Sequence, residues 1–520
     1  MATIWNRTEQ LDALQSGETT LWDVVVIGGG AAGLGAALDA VSRGYRTALF
    51  EQHDFAKGTS SRSTKLIHGG VRYLRQGNLG LVTEALRERG LLLRNAPGLV
   101  TPQKFAIPHL GRWDRWYYGA GLRLYDQLSG KWGISPTRHL SRDDLSRMVP
   151  TLQHPQLRGG TLYYDAQFDD ARLAIALAQA IVRRGGLALN YLRVTELVKQ
   201  HQRVSGVVVT DQETQRAYRV HARVVINATG VFSDALRRLD EPSATPMILP
   251  SQGIHLVVDH KFLPGETAIM IPRTTDGRVL FAIPWHRHTL LGTTDTPVSQ
   301  ICLEPRPLMG EVEYLLRHLA DYLQPAPTLA DVTSMFAGLR PLVRPGGPSS
   351  GTAAISREHV VLVSPSQLVS VIGGKWTTYR KMAEDVMQKA IAVANLPPRE
   401  SATATISLDA SSSDLAGVIE TSGDDGIRAA TGPRAASLTL PLPAEAVRYF
   451  VQHEMARTVE DILARRTRWL LLDAAASAQA AADLARGMAG ELGRDDAWAT
   501  QQAADFCRLA EGYRLEARPG

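Results

Sequence analysis

Three glycines, Gly28, Gly30 and Gly33, fall in a GxGxxG spacing within WDVVVIGGGAAGLGAALDAVSRGYRTALFE. That spacing suits one task. The first glycine permits a tight turn, the second lets the backbone approach a pyrophosphate, and the third lets a helix pack closely on a strand. Ala31 and Ala32 open the helix, whose first N–H groups and partial positive charge then face a diphosphate. Glu51 follows at the end of the next strand, where a carboxylate accepts hydrogen bonds from ribose hydroxyls. These residues predict a dinucleotide site without distinguishing NAD from FAD. A second stretch, SSRSTKLIHGGVRYLRQG, follows at once. Ser60, Ser61, Thr64 and Lys65 offer donors to cofactor phosphates or to the edge of a flat ring. Gly69 and Gly70 let backbone come close to such a ring. Arg72 and Tyr73 would then project toward a small anionic substrate.

The elements that must position these groups can be read from the pattern. Val24 to Ile27 is a short β-branched run suited to a buried parallel strand. The helix is expected from about Ala31 to Ser42, with Gly44 as its stop, and Thr47 to Phe50 is the next strand. Asp169 and Asp170 are placed to cap a long apolar helix. RVSGVVVTD and ARVVINATG are strand candidates. GIHLVVD, GRVLFAIPW and HTLLGTTD read as strands of a mixed or antiparallel second sheet, and HVVLVSPSQLVSVIGG as a hairpin ending in glycines. Beyond residue 397 the chain turns small, polar and Pro/Gly-marked, which reads as a linker or poorly ordered connection. After Pro443 it becomes helical, and Thr458 with Asp461 resembles a capping box.

Bulk properties exclude several classes. The chain has 520 residues, 44% apolar and 21% charged, which is ordinary for a globular protein. A net charge of +5 is too weak for its length to argue for nucleic acid, but it suits phosphate-bearing ligands or an anionic membrane surface. The two cysteines, Cys302 and Cys507, give neither a disulfide framework nor metal-ligand spacing, so a reducing compartment and no metal are expected. No signal peptide is evident at the N-terminus. The longest apolar run, Leu173 to Val182, falls short of the roughly 18 residues a membrane span needs.

Taken in order, VIGGGAAGLGAALDAVSRG, TSSRSTKLIHGGVRYL, DARL, NATG, IPW, GTTD, GLRPL, ISRE and GGKWTTYRKMAE resemble the FAD-dependent glycerol-3-phosphate dehydrogenase family. The C-terminal VEDILARRTRWLLLD is similar to that family's helical cap. The resemblance runs over roughly residues 20 to 510, while 408 to 436 matches nothing in it. It implies an α/β fold: a Rossmann-like FAD-binding domain interleaved with an antiparallel-sheet substrate domain over 1–400, a linker over 401–440, and a C-terminal α-helical domain over 441–520.

The resemblance also implies chemistry. FAD is the cofactor, with Ala228 and Gly230 of the NATG strand end closing over it, Val194 beside it, and Gly373, Gly374, Lys375, Thr377 and Thr378 at the flavin's pyrimidine end. A helix starting near Trp376 or Thr377 would aim its positive end at that region. The substrate is sn-glycerol 3-phosphate, oxidised to dihydroxyacetone phosphate, with electrons passed to a membrane quinone at the inner face of the cytoplasmic membrane. Arg72, Arg340, Arg357 and Lys375 are the cations matched to the phosphate. Thr294 and Asp295 would orient substrate hydroxyls or a positive partner. The catalytic proton acceptor stays open among His255, His68 and an arginine, Arg340. His68 equally fits a hydrogen bond to the flavin or a role in shaping its loop. HLGRWDRWYYGAGLRLYDQLSGKW mixes aromatic and basic residues as a bilayer-contacting surface does, and equally fits a helix packed on its own domain or on a dimer partner. A homodimer is left open. The alternatives are an oxidase delivering electrons to oxygen, a non-catalytic FAD-binding regulator, and an amine oxidase of the same wider fold.

Overall fold

The computed structural model describes residues 5–16, 20–71, 74, 77–272, 274, 277–344, 358–408 and 440–515. The expected strand–helix–strand unit is present: strand Leu21–Ile27, helix Ala31–Ser42, strand Thr47–Phe50. Gly44 ends the unit's helix in the left-handed region, at φ +78°. Strand Leu21–Ile27 runs parallel to Thr47–Phe50 on one side and to Ala217–Asn227 on the other, and the stretches Val24–Ile27, Thr47–Phe50 and Val224–Asn227 are buried on both faces. That explains their near-continuous Val, Ile, Leu and Ala runs. Among the described residues this first sheet has eight strands, with the hairpin His359–Val363/Val369–Gly373 at one edge and Leu187–Leu189 at the other.

A second sheet of ten strands, again among the described residues, carries Ile248–Asp259 paired with Val332–Val343 over eleven residue pairs. As expected, the sheet is mixed: Thr267–Ile271 runs parallel to Val100–Pro108, while the long pair Ile248–Asp259/Val332–Val343 is antiparallel. The chain enters this sheet at Leu66, returns to the first at Leu187, re-enters at Ile248 and leaves at Val343. Neither sheet is contiguous in sequence, and both contribute to whatever lies between them.

Helix Asp170–Val182 begins as expected, with Asp169 Oδ1 accepting from the Ala171 and Arg172 amides at 3.1 and 3.0 Å. It is buried along its whole length, so its apolar run serves the core of the first sheet. The C-terminal helices do not stand apart. Phe450, Ile462 and Leu484 share one apolar cluster with Phe105, Tyr163 and Trp285 of the second sheet. The expected linker also begins later than predicted. Ile406 and Leu408 are buried, the Leu408 amide donates to Asn95 O at 2.7 Å, and Ser401 Oγ donates to Asp39 at 2.7 Å. Two apolar residues at alternate positions suffice to dock this stretch on the first domain. Residues 409–439, the rest of the expected linker, lie outside the described residues. Among the described residues no helix is long and apolar enough to cross a membrane.

Candidate active site

The glycine turn is built as its spacing requires. Gly28 has φ +107°, and a Cβ there would come within 2.7 Å of the Ala228 carbonyl oxygen. A methyl on Gly33 would collide with the Gly28 carbonyl oxygen, so this glycine permits the helix to start where it does. Gly33 therefore packs the turn and does not line the cavity beyond it. Gly28, Gly30, Ala31 and Ala32 do line it. Ser60 Oγ accepts from the Ala31 amide at 3.0 Å, which puts a hydroxyl against the positive end of the helix. Glu51 Oε2 accepts from Gly29 N at 2.7 Å and Oε1 from His53 N at 2.9 Å. Burial pushes this carboxyl above its usual range, against those two amide bonds.

The cavity, about 620 Å³, runs from this turn to the second sheet. It joins Glu51, Ser60, Thr64, His68, Val194, Ala228, Gly230, Gly374, Lys375 and Thr377 with His255 and Arg340. Two loops close around it together: Trp376 Nε1 donates to Ser60 O at 2.8 Å, and the His68 amide donates to Thr377 Oγ1 at 3.3 Å. Gly373 and Gly374 both have φ +84°, a conformation side chains resist. The turn Trp376–Thr378 leads into helix Tyr379–Ala394, close to the expected start.

On the sheet side, His255 is buried. Its Nε2 lies 2.9 Å from Thr64 Oγ1, and its ring stacks on Phe336 at 5.0 Å. Burial, reinforced by the cations Lys65 and Arg340, holds this imidazole well below its ordinary range, so it is neutral at physiological pH. Arg340 reaches across from the neighbouring strand. Its guanidinium donates to Gln252 O at 3.2 Å, Thr293 Oγ1 at 3.1 Å and Thr294 O at 2.9 Å, and it pairs with Asp295 at 3.4 Å.

Several expected residues are elsewhere. Lys65 is fully buried; its Nζ donates to Ser61 O and to Asp170 Oδ2, each at 2.7 Å. Burial lowers its ammonium to about 7 against the pull of Asp170. Ser61 is buried with it and presents its carbonyl to Lys65 and to Arg468. Both brace the loop from behind and do not line the cavity. Thr294 faces away as well: Oγ1 donates to Glu311 at 2.7 Å and accepts from Ile254 N at 3.1 Å. Thr293, its neighbour, lines the cavity in its place. Thr378 is buried at the start of helix Tyr379–Ala394, behind Thr377. Asp295 serves as the partner of Arg340 and is not itself on the cavity wall. Arg72, Tyr73 and Arg357 lie outside the described residues.

Arg62, inside the serine run, also lines the cavity; sequence reasoning passed over His53 and Lys57, which line it too, and Gly253 and Gly338, which admit neighbours to it. Arg62 pairs with Glu304 at 2.6 Å. The two glycines open the GIHLVVD and GLRPL stretches; a methyl on Gly253 would collide with the Arg340 guanidinium.

These features fit FAD. A glycine turn at a helix N-terminus suits the pyrophosphate, Glu51 the ribose, and the open glycine backbone at 373–374 a flat ring. The volume is in the range of cofactor cavities.

Residues 23–380 match the family model described as FAD dependent oxidoreductase, the class of protein that this fold and cavity define. Residues 418–499 match the C-terminal domain of alpha-glycerophosphate oxidase. The chain is 38% identical to the mitochondrial glycerol-3-phosphate dehydrogenase of Rattus norvegicus, over 94% of this chain and 72% of that one. It superimposes on the glycerol-3-phosphate dehydrogenase of Bacillus halodurans complexed with FAD at a TM-score of 0.79 and 28% identity, covering 98% of both chains. The L-alpha-glycerophosphate oxidase of Mycoplasma pneumoniae, at 18% identity and a TM-score of 0.55 over 75% of this chain and 98% of that one, shares the fold. The chain belongs to the FAD-dependent glycerol-3-phosphate dehydrogenase family.

Proposed function

We propose that this protein oxidises sn-glycerol 3-phosphate to dihydroxyacetone phosphate at the cavity between the two sheets. The observation that carries the reading is the convergence of His255 and Arg340, from adjacent strands, on the cavity that Lys375 also lines. A neutral imidazole, a forked cation and a point charge are what a phosphorylated alcohol needs for oxidation.

Bound FAD supplies a two-electron acceptor for the C2–H bond. The protein's part is to hold and orient. Arg340 and Lys375 grip the phosphate, with Arg72 and Arg357 as further cations from the same motifs. Asp295, Thr293 and the Gln252 and Thr294 carbonyls fix the Arg340 fork. His255 takes the hydroxyl proton as C2 gives up its electron pair. Its depressed proton affinity keeps it in the accepting form at neutral pH. Thr64, bonded to Nε2, holds the ring's orientation. Glu51, Ser60 and the turn Gly28–Ala32 hold the dinucleotide end.

The electrons then pass to a membrane quinone, with the protein bound at the inner face of the cytoplasmic membrane. Helix Asp114–Ser129 supports this part of the reading. Trp113, Trp116 and Tyr117 are 78%, 71% and 56% exposed, beside exposed Arg112, Arg115 and Arg123. Exposed rings among cations suit a headgroup layer.

The test is anaerobic reduction. Purified protein should be yellow, and sn-glycerol 3-phosphate should bleach its flavin band. Bound FAD that stays oxidised with that substrate rules the assignment out. Peroxide yield in air separates a quinone-linked enzyme from an oxidase.

A further inference from the structure

The segment Glu454–Arg468 grips the loop that follows Glu51 at several points, almost all of them buried. It contains a π turn, Asp461–Arg466, an uncommon form that recurs at functional sites. Two consecutive arginines of this turn converge on Asp54, three residues past Glu51. Arg465 Nε lies 2.5 Å from Asp54 Oδ2, and Arg466 closes a fork at 2.6 and 2.9 Å. Burial works against a charge on Asp54, but Arg466 and Arg465 outweigh it and hold the carboxyl below its usual range.

The same segment takes hold further along the loop. Lys57, on the cavity wall, donates to Glu460 at 2.6 Å, and Glu460 in turn accepts from Arg465 at 2.7 Å. Arg468 donates to Ser61 O at 3.1 Å and to Asp170 at 2.7 Å. Asp170 is also the acceptor for Ser63 Oγ at 2.7 Å. The far end of the segment is tied down by Glu454, which accepts a fork from Arg172 at 2.6 and 2.7 Å.

The loop so held is irregular, and most of its residues line the cavity. Within Glu51–Thr64 its only regular element is the short turn Thr59–Ser61. Yet Glu51, Lys57, Ser60 and Thr64 must all present side chains to one cavity. Local hydrogen bonds alone do not fix such a path; buried ion pairs to a partner some 400 residues away do, because each is costly to leave half-made.

We infer that Arg465, Arg466, Arg468 and Glu460 are positioning residues for the cofactor: the C-terminal segment acts as a clamp that sets the FAD-binding loop, so that FAD binding and docking of Glu454–Arg468 reinforce one another. Linkage makes the coupling reciprocal. Loosening the clamp weakens FAD, and removing FAD loosens the clamp. The inference rests on FAD occupying the cavity described above.

The full-length apoprotein is titrated with FAD while flavin fluorescence is followed, and hydrogen exchange of residues 454–468 is measured with and without FAD. Arg466→Lys keeps the charge but loses the fork. Glu460→Gln acts at the more accessible end of the network and keeps the loop testable should Arg466→Lys not fold. Each variant that folds is expected to raise the FAD dissociation constant at least tenfold. Met488→Ala, in the core of the helical layer, is expected to lower the melting temperature with FAD affinity unchanged. FAD is expected to slow exchange in 454–468. Wild-type affinity in Glu460→Gln and Arg466→Lys, an equal loss in Met488→Ala, or exchange in 454–468 indifferent to FAD would each overturn the clamp. Wild-type protein that takes up no FAD would instead overturn the cofactor assignment.

Discussion

Thr64 and His255 meet across the boundary between the two sheets, Oγ1 to Nε2 at 2.9 Å. One belongs to the loop behind the glycine turn, the other to the long strand of the second sheet. The contact joins the dinucleotide end of the cavity to its catalytic end. Loss of the His255 imidazole in His255→Asn should lower kcat by about 10²–10⁴, the usual worth of a general base. Thr64→Val should cost less, about two- to tenfold in kcat, corresponding to one hydrogen bond of about 0.5–1.5 kcal/mol. Steady-state kinetics at matched FAD content checks both. Full activity in His255→Asn would remove it as the base.

Arg340→Ala should keep its FAD and raise KM for sn-glycerol 3-phosphate by about tenfold to a hundredfold, for a charge-assisted contact of about 1.5–3 kcal/mol. Arg340→Lys should fall between, since an ammonium cannot reproduce the fork. Flavin content and KM, measured together, separate substrate binding from cofactor loss.

Gly33→Ala should yield protein with less than about a tenth of the wild-type flavin. The added methyl strikes the Gly28 carbonyl, a backbone atom that cannot swing aside, and so distorts the turn that faces the pyrophosphate. Absorbance near the flavin band relative to protein absorbance reports this directly.

Stability should fall as pH drops from about 6.5 toward 4. Folded His255 is held neutral far below the ordinary imidazole value by burial and by Lys65 and Arg340. His109 is lowered to about 4 by burial, while its Nε2 sits 2.9 Å from Thr161 Oγ1. Unfolded histidines protonate near pH 6.5, so in this window the unfolded chain binds more protons and is favoured as pH falls. Melting temperatures at pH 7 and pH 5 should show the drop, and His109→Asn should make it smaller.

Replacing both Trp113 and Trp116 by Ala should reduce binding to anionic vesicles several-fold while leaving activity with a soluble acceptor intact. The two rings are largely exposed and line no part of the cavity. Flotation at low and high salt checks this. Retention by neutral vesicles as strong as by anionic ones would argue against the basic residues beside the rings.

The sequence by itself determined the local chemistry of this protein. The glycine turn, its helix, its flanking strands and the caps at Asp169 and Thr458 depend on neighbours a few residues apart, and all are legible as patterns. His255, Arg340 and Lys375 could be picked out by residue type and motif. Tertiary structure alone decided which member of each adjacent pair faces the cavity: Ser60 and not Ser61, Thr293 and not Thr294, Thr377 and not Thr378. One residue's shift in an irregular loop or strand end turns a side chain to the opposite side, and nothing local encodes the choice. Tertiary structure also decided that Lys65 supports the loop from behind and that Arg465 and Arg466 close on Asp54. A buried charge must find its counter-charge wherever the fold brings one, and here that partner is often hundreds of residues away.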